Sequence, residues 1–450
     1  MKQNKDYLIT EKPSRALLIF SIPMIIGNLF QQAYTIVDSA IVGRYVGETA
    51  LAAVGASYSL TSIFICIAIG GGIGASVIIS HHFGAHNYGR MKTCIRTALL
   101  SFLFISLILG GIGLIFSQQI MEVLNTPADA IDIAVTYLNI YFLGLPFLFM
   151  YNILSSMFNA LGESRIPLYL LIFSSVLNIF LDLYMVAVLN LGVAGAAYAT
   201  FIAQGISAVL SLIIFVVTLQ QLQGKAEGWF SKTEFSDMSR IALPSILQQS
   251  TVSIGMMLVQ SVVNSFGTQI LAGFSAAMRI ESLCVVPMSA IGNAMSSYTA
   301  QNIGAEKEER ISQGYRMGNF MIIVIAVILC LFLEIAHKPL VALFLDNAAS
   351  SQTIVTGESY LKFIGFFFCM IGFKMAVDGI LRGAGAVKVF TIANMVNLTL
   401  RVTIAKFGAP IWGVSMVWYA VPLGWLANFL ISYGYYRTEK WKEAASKTVD

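Results

Sequence analysis

Apolar runs and short polar breaks alternate along the chain. Crossing a bilayer as a helix takes about 20 mostly apolar residues. By that measure the sequence predicts twelve helices, over 15–40, 49–80, 94–117, 134–158, 166–189 and 192–219, then 239–264, 270–300, 316–343, 357–382, 388–407 and 410–435. Prolines at 23, 146, 244 and 287 lie inside runs. They do not disqualify them, because neighbouring helices re-satisfy the freed backbone groups. The predicted fold class is an all-α polytopic membrane protein with twelve transmembrane helices.

The breaks between runs set the orientation. Twenty of the 27 Lys and Arg residues fall in one set of loops together with the termini, among them Lys12, Arg90, Lys92, Arg165, Lys225, Lys307, Arg310, Arg382 and Lys388. On the opposite side Arg44 and Lys338 stand out, and the 118–133 loop carries Glu122, Asp129 and Asp132 without a base. Basic loops stay cytoplasmic. Both termini are therefore expected in the cytoplasm, which an even number of spans allows.

The pattern also repeats. VGETALAAVGAS (46–57) is similar to FGTQILAGFSAA (266–277), HHFGAHNYGR (81–90) to QNIGAEKEER (301–310), and YLNIYFLG (137–144) to YLKFIGFF (360–367). Two six-helix lobes in the same order and orientation are implied, an arrangement of transporters whose substrate path runs between parallel repeats. The expected division is an N-lobe over 1–220, a polar cytoplasmic linker over 221–238 and a C-lobe over 239–450 with a short tail.

Composition agrees. The chain is 57% hydrophobic and 11% charged, against roughly a quarter charged in soluble domains, so no long soluble module fits. Five cysteines are scattered without paired spacing, which argues against disulfides or a zinc site. The basic N-terminus precedes an apolar run too long for a signal peptide. That run reads as the first span.

Charges inside the spans are costly and usually functional. The N-terminal half has two deep acids, Asp38 and Asp182, and no deep base. Tyr34 and Gln31 precede Asp38 by four and seven residues, and Asn178 precedes Asp182 by four, so each set shares a helical face. Thr200 adds a hydroxyl. Carboxylates, phenol, amide and hydroxyl suit a shuttled proton or an oxygen-liganded cation. The C-terminal half instead carries Arg279 and Glu281, Lys374 and Asp378, and Arg401. Lys374 and Asp378 are four apart, the spacing of a helical ion pair, and the set reads as an internal polar network.

Other signals are weaker. GGGIGAS (70–76) lacks the Gly-Lys-Ser/Thr of a phosphate loop and reads as close helix packing. His81, His82 and His86 read as a polar helix end, not a metal site, because the repeat places Gln301, Asn302 and Glu306 there. No nucleophile triad, HExxH or nucleotide motif marks an enzyme.

In order and spacing, IPMIIGNLFQQAYTIVDSAIVGRYVG, NALGESRIP, NIFLD, LAGFSAAMRIESL, YTAQNIGA and ILRGAG make the chain resemble the multidrug and toxic compound extrusion (MATE) family over nearly its whole length. The resemblance implies two lobes rocking between inward-open and outward-open forms, exporting organic cations or drugs in exchange for H⁺ or Na⁺. It implies that Asp38, Asn178, Asp182 and Thr200 form the N-lobe cation and proton site, with Gln31, Tyr34, Tyr137 and Asn152 around it, and that the first span bends at Pro23. It departs from the family on the seventh span. Some members have a glutamate there, and ALPSILQQSTVSIG offers Gln248 and Gln249. Asp378 also lies nearer the LRG motif than those members' acid, so coupling is expected to rest on the N-lobe.

The expected function is secondary active multidrug efflux through the cell membrane by a monomer, without cofactor, nucleic-acid partner or metal beyond Na⁺. A lipid-linked precursor flippase of the same superfamily is the alternative. Its cavity would need several arginines, whereas the deep bases here are Arg279, Lys374 and Arg401. A passive channel or receptor is an alternative of another class, and neither needs an acid pair beside a repeat.

Overall fold

A computed structural model describes residues 6–46, 48–124, 126, 130–345 and 350–449. Gly47 of the first repeat motif and Asp129 lie outside them. The helices are α1 (Tyr7–Thr10), α2 (Pro13–Tyr45), α3 (Glu48–Gly84), α4 (Tyr88–Val123), α5 (Ile131–Ala160), α6 (Arg165–Asp182), α7 (Gly192–Gln220) and α8 (Lys232–Asn264). Then come α9 (Thr268–Gly304), α10 (Glu309–Ala342), α11 (Ser351–Gly365), α12 (Phe368–Gly383), α13 (Val387–Thr403), α14 (Ala409–Trp412), α15 (Ser415–Arg437) and α16 (Trp441–Val449).

Among the described residues eleven helices are long and apolar enough to cross a membrane, and α11 with α12 makes a twelfth, bent by 52°. The apolar pattern over 357–382 predicts a single span. The chain instead breaks after Gly365, where the backbone tightens into three-residue bonds, Phe367 N–H to Ile364 O and Met370 N–H to Phe367 O, both 2.9 Å. Many helices exceed the predicted runs. At 37 residues, α3 and α9 are each about 55 Å long, well beyond a hydrocarbon core of about 30 Å, so their polar ends escape a hydropathy window. π-helical turns follow α6 at Leu183–Val188 and α13 at Ile404–Gly408. They stand at matching places in the two halves.

Packing groups the helices into two compact units, Ile26–Ile246, and Met1–Ile25 with Leu247–Asp450. In the first unit, GGGIGAS is a packing element. A Cβ at Gly70 would lie 2.5 Å from Ile246 N, one at Gly72 2.6 Å from Ser156 Oγ, and one at Gly74 2.7 Å from Met238 O. The glycines thus let α8 and α5 approach the α3 backbone. Gly74→Val should lower the thermal midpoint of the purified protein, because overpacking costs about 1–3 kcal/mol. Gly111→Val on α4 should leave the midpoint near wild type, since nothing lies within 4 Å of a Cβ there. Equal midpoints would show that Gly74 is no packing point.

The segment before α8 is fastened to the same unit. Lys92 Nζ donates to the Leu222 and Gly224 carbonyls at 2.7 and 2.8 Å. Thr93 and Thr97 hydroxyls accept from Glu227 and Ser231 N–H groups at 2.9 and 3.0 Å. His82 Nε2 lies 3.0 Å from Glu234 Oε2, with Arg90 Nε 3.8 Å from Oε1. The helix α8 therefore starts at Lys232, inside the stretch read as linker. Its charged residues hid the start, yet Glu234, Met238 and Ile241 are all buried.

The second unit repeats the device. Asn302 Nδ2 donates to Leu8 O at 3.2 Å, Lys307 Nζ to Ile9 O at 3.3 Å, and Arg310 Nη2 to Glu11 O at 2.5 Å. Arg310 Nε also bonds Asn302 Oδ1 at 2.9 Å. The paired motifs HHFGAHNYGR and QNIGAEKEER thus each hold a segment that leads into a spanning helix.

Candidate functional site

Asp38 on α2 and Asp182 at the end of α6 come together in the first unit, and their carboxyl groups are hydrogen-bonding neighbours. Asp182 is fully buried, while Asp38 stays partly exposed. Asn178, one turn before Asp182, is buried as well. Its amide is oriented with the nitrogen donating to Asp182 Oδ2 at 2.8 Å and Tyr34 Oη at 2.9 Å, and the oxygen accepting from Thr200 N at 3.0 Å and Thr200 Oγ1 at 3.3 Å. Tyr137 lies in the electrostatic field of both acids. Oδ1 of Asp38 and Oδ1 of Asp182 have no hydrogen-bond partner.

Like charges brought so close cannot both stay ionised cheaply, so an acid pair of this kind suits a shuttled proton. The π-helical turn begins at the residue after Asp182. Such turns interrupt the regular helix ladder and recur at functional sites. Gln31 is exposed on the same helix as Asp38. Asn152 donates to Leu148 O of its own helix at 2.8 Å, and no bond joins it to either acid among the described residues.

The polar residues of the second unit form a different arrangement. Lys374 Nζ and Asp378 Oδ2 are 3.0 Å apart, and both side chains are buried. Lys374 also donates to Asn394 Oδ1 at 3.0 Å, and Ser432 Oγ to Asp378 Oδ1 at 2.8 Å. Tyr360 Oη donates to Glu281 Oε2 at 2.7 Å. Arg279 is exposed, and Arg401 is buried. Pro23 sits within the unbroken α2.

The family model described as MatE matches the chain twice, over residues 23–184 and 244–406. The chain belongs to the MatE family of transporters. A probable multidrug resistance protein of Bacillus subtilis, YpnP, is 31% identical over 430 residues, covering 95% of this chain and 96% of that protein. A second from the same organism, YoeA, is 27% identical, covering 97% of each. A solved multidrug resistance MATE family transporter of the MOP superfamily, in an outward-facing conformation, superposes with a TM-score of 0.88 at 24% identity, covering 99% of this chain and 100% of that one. That likeness carries the fold, twelve helices in two six-helix lobes. A family model matching once in each half is what an internal repeat requires.

Residues of this MatE chain that sequence reasoning misplaced lie mainly on α12 and α13. Arg382 reads as a loop base. It is buried instead, donating to Asn293 Oδ1 at 2.8 Å and Ser296 Oγ at 3.3 Å. The signal was present, since Lys374, Asp378 and Arg382 recur every four residues along one face. Asn394 stands seven residues before Arg401 and so shares its face.

Proposed function

We propose that this MatE protein is a secondary active exporter of organic cations and other drugs, driven by inward movement of H⁺ or Na⁺ through the Asp38–Asp182 pair. The observation that carries the reading is an acid pair, one member fully buried and the other partly exposed, with an unpartnered oxygen on each carboxyl. The names of the B. subtilis relatives point the same way. The protein works in the cell membrane as a monomer, with both termini in the cytoplasm.

We take the proton rather than Na⁺ as the coupling ion. Asn178 turns its nitrogen, not its oxygen, toward Asp182 and Tyr34. A sodium ion needs oxygen ligands, whereas an amide N–H steadies an ionised carboxylate that is waiting for a proton. Asp38, the partly exposed member, takes the proton first. Asp182 and Asn178 then respond through their bond, and the change reaches α2 through Tyr34. Proton uptake drives transport only because it favours one conformation over the other, here the one in which α2 bends near Pro23 and the drug has left.

The test is uptake of a fluorescent organic cation into proteoliposomes with the pH and Na⁺ gradients imposed separately. A pH gradient alone should drive accumulation, and a Na⁺ gradient at uniform pH should not. Accumulation with Na⁺ alone would reverse the choice of ion. Equilibration without accumulation under either gradient would sink the exporter reading.

A further inference from the structure

The second unit holds a cavity of about 160 Å³, with Lys374 of α12, Asn394, Asn397 and Arg401 of α13, and Glu281 of α9 in its wall. Asn394, Asn397 and Arg401 stand three and four residues apart, so α13 presents them on one face. Met256, Val285 and Trp425 supply apolar wall.

The charges around this cavity differ in how closely they are held. Lys374 is already held by Asp378 and Asn394. Glu281 is held by the Tyr360 hydroxyl. Arg401 is more than nine-tenths buried, and its Nε has no hydrogen-bond partner. No carboxylate lies within 4.0 Å of it among the described residues. Lys374 is matched by Asp378, so the charges left in the wall are Arg401 and Glu281, which lie in each other's electrostatic field without a direct bond. A guanidinium in such a place is costly unless something pairs with it. Its Nε and one Nη form a planar fork that matches a carboxylate with two parallel bonds.

Position in the repeat adds a second observation. Arg401 stands three residues before the π-helical turn at Ile404–Gly408, and Asp182 immediately before the one at Leu183–Val188. Both halves thus bring a buried charge to the same irregularity, negative in one and positive in the other.

We infer that the Arg401 cavity is a carboxylate subsite, so that the exported compounds include zwitterions and organic acids that seat a carboxylate on the Arg401 fork and an apolar body against Met256, Val285 and Trp425. This rests on the exporter reading and narrows its substrate class.

The test uses two dyes that differ only in the group of interest. Rhodamine 110 is a zwitterion with a free carboxylate, and rhodamine 123 is its methyl ester, a cation. Binding to the purified protein is followed by fluorescence anisotropy. The wild type should bind rhodamine 110 about tenfold or more tightly than the ester, as two charge-assisted bonds imply. Sodium benzoate should displace the acid and not the ester. Arg401→Met should remove the preference while leaving ester binding intact, which also shows that the variant is folded. Arg401→Lys should restore only part of it, since the ammonium keeps the charge and loses the fork.

A wild type that binds the ester as well as the acid overturns the subsite, and that comparison needs no variant. So does an Arg401→Met protein that loses both dyes alike, or displacement of rhodamine 110 by phosphatidylglycerol more readily than by benzoate, which would assign the pocket to a lipid phosphate. Transport is read separately in proteoliposomes. Export of neither dye would count against the exporter reading, and the binding preference would stand or fall without it.

Discussion

Asp38→Asn should abolish gradient-driven export while leaving drug binding largely intact. Asparagine is nearly the same size and still hydrogen-bonds, so the packing around Asp182 and Tyr34 survives. What is lost is the site that gains and releases a proton. Coupling between two sites is typically worth about 1–3 kcal/mol, or roughly 5–150-fold, so the accumulation ratio should fall by at least about tenfold. The equilibrium affinity for a fluorescent cation should change by less than about threefold, because in this reading the acid acts through conformational preference. Asp182→Asn should behave alike and also disturb the bond from Asn178, now facing an amide. An Asp38→Asn protein that still concentrates drug against a pH gradient at the wild-type ratio would remove the pair from the mechanism.

The second large effect is on stability. Lys374→Met should destabilise the second unit by about 3–5 kcal/mol, the usual result of leaving one partner of a buried ion pair unmatched. Asp378 would keep its bond from Ser432 but lose the ammonium at 3.0 Å. Replacing both partners, Lys374→Met with Asp378→Leu, should recover most of the loss, because apolar groups of similar volume often replace a buried pair at little net cost. Thermal unfolding of the purified proteins, followed by tryptophan fluorescence, compares them. A single variant as stable as the double one would show that the pair contributes nothing a methionine cannot.

The membrane fold was legible in the sequence because hydropathy alone forces it: a backbone in hydrocarbon has no partner for its polar groups except itself. The repeat was legible in its motifs. So were the positions of Asp38 and Asp182, since a charge in an apolar run stands out. Their meeting was expected only through the family resemblance, because it depends on how α2 and α6 pack. The orientation of the Asn178 amide depends on Thr200 and Tyr34 from two other helices. Arg382 looked like a loop base because the run ended near it, and its partners Asn293 and Ser296 lie almost ninety residues earlier. The break after Gly365 had no proline to announce it.

The way α2 and α8 change company has a mechanical consequence. The first turns of α2 pack with one unit and the remainder with the other, and α8 does the reverse. The changes fall at Ile25–Ile26 and Ile246–Leu247, just past Pro23 and Pro244. A proline inside a helix has no N–H to give, so the Ile19 and Arg240 carbonyls lack their ordinary helical partner. Each rod is therefore most compliant close to where its loyalties divide. In the proposed transport cycle the two prolines would serve as a matched pair of flexures, one on each of these helices.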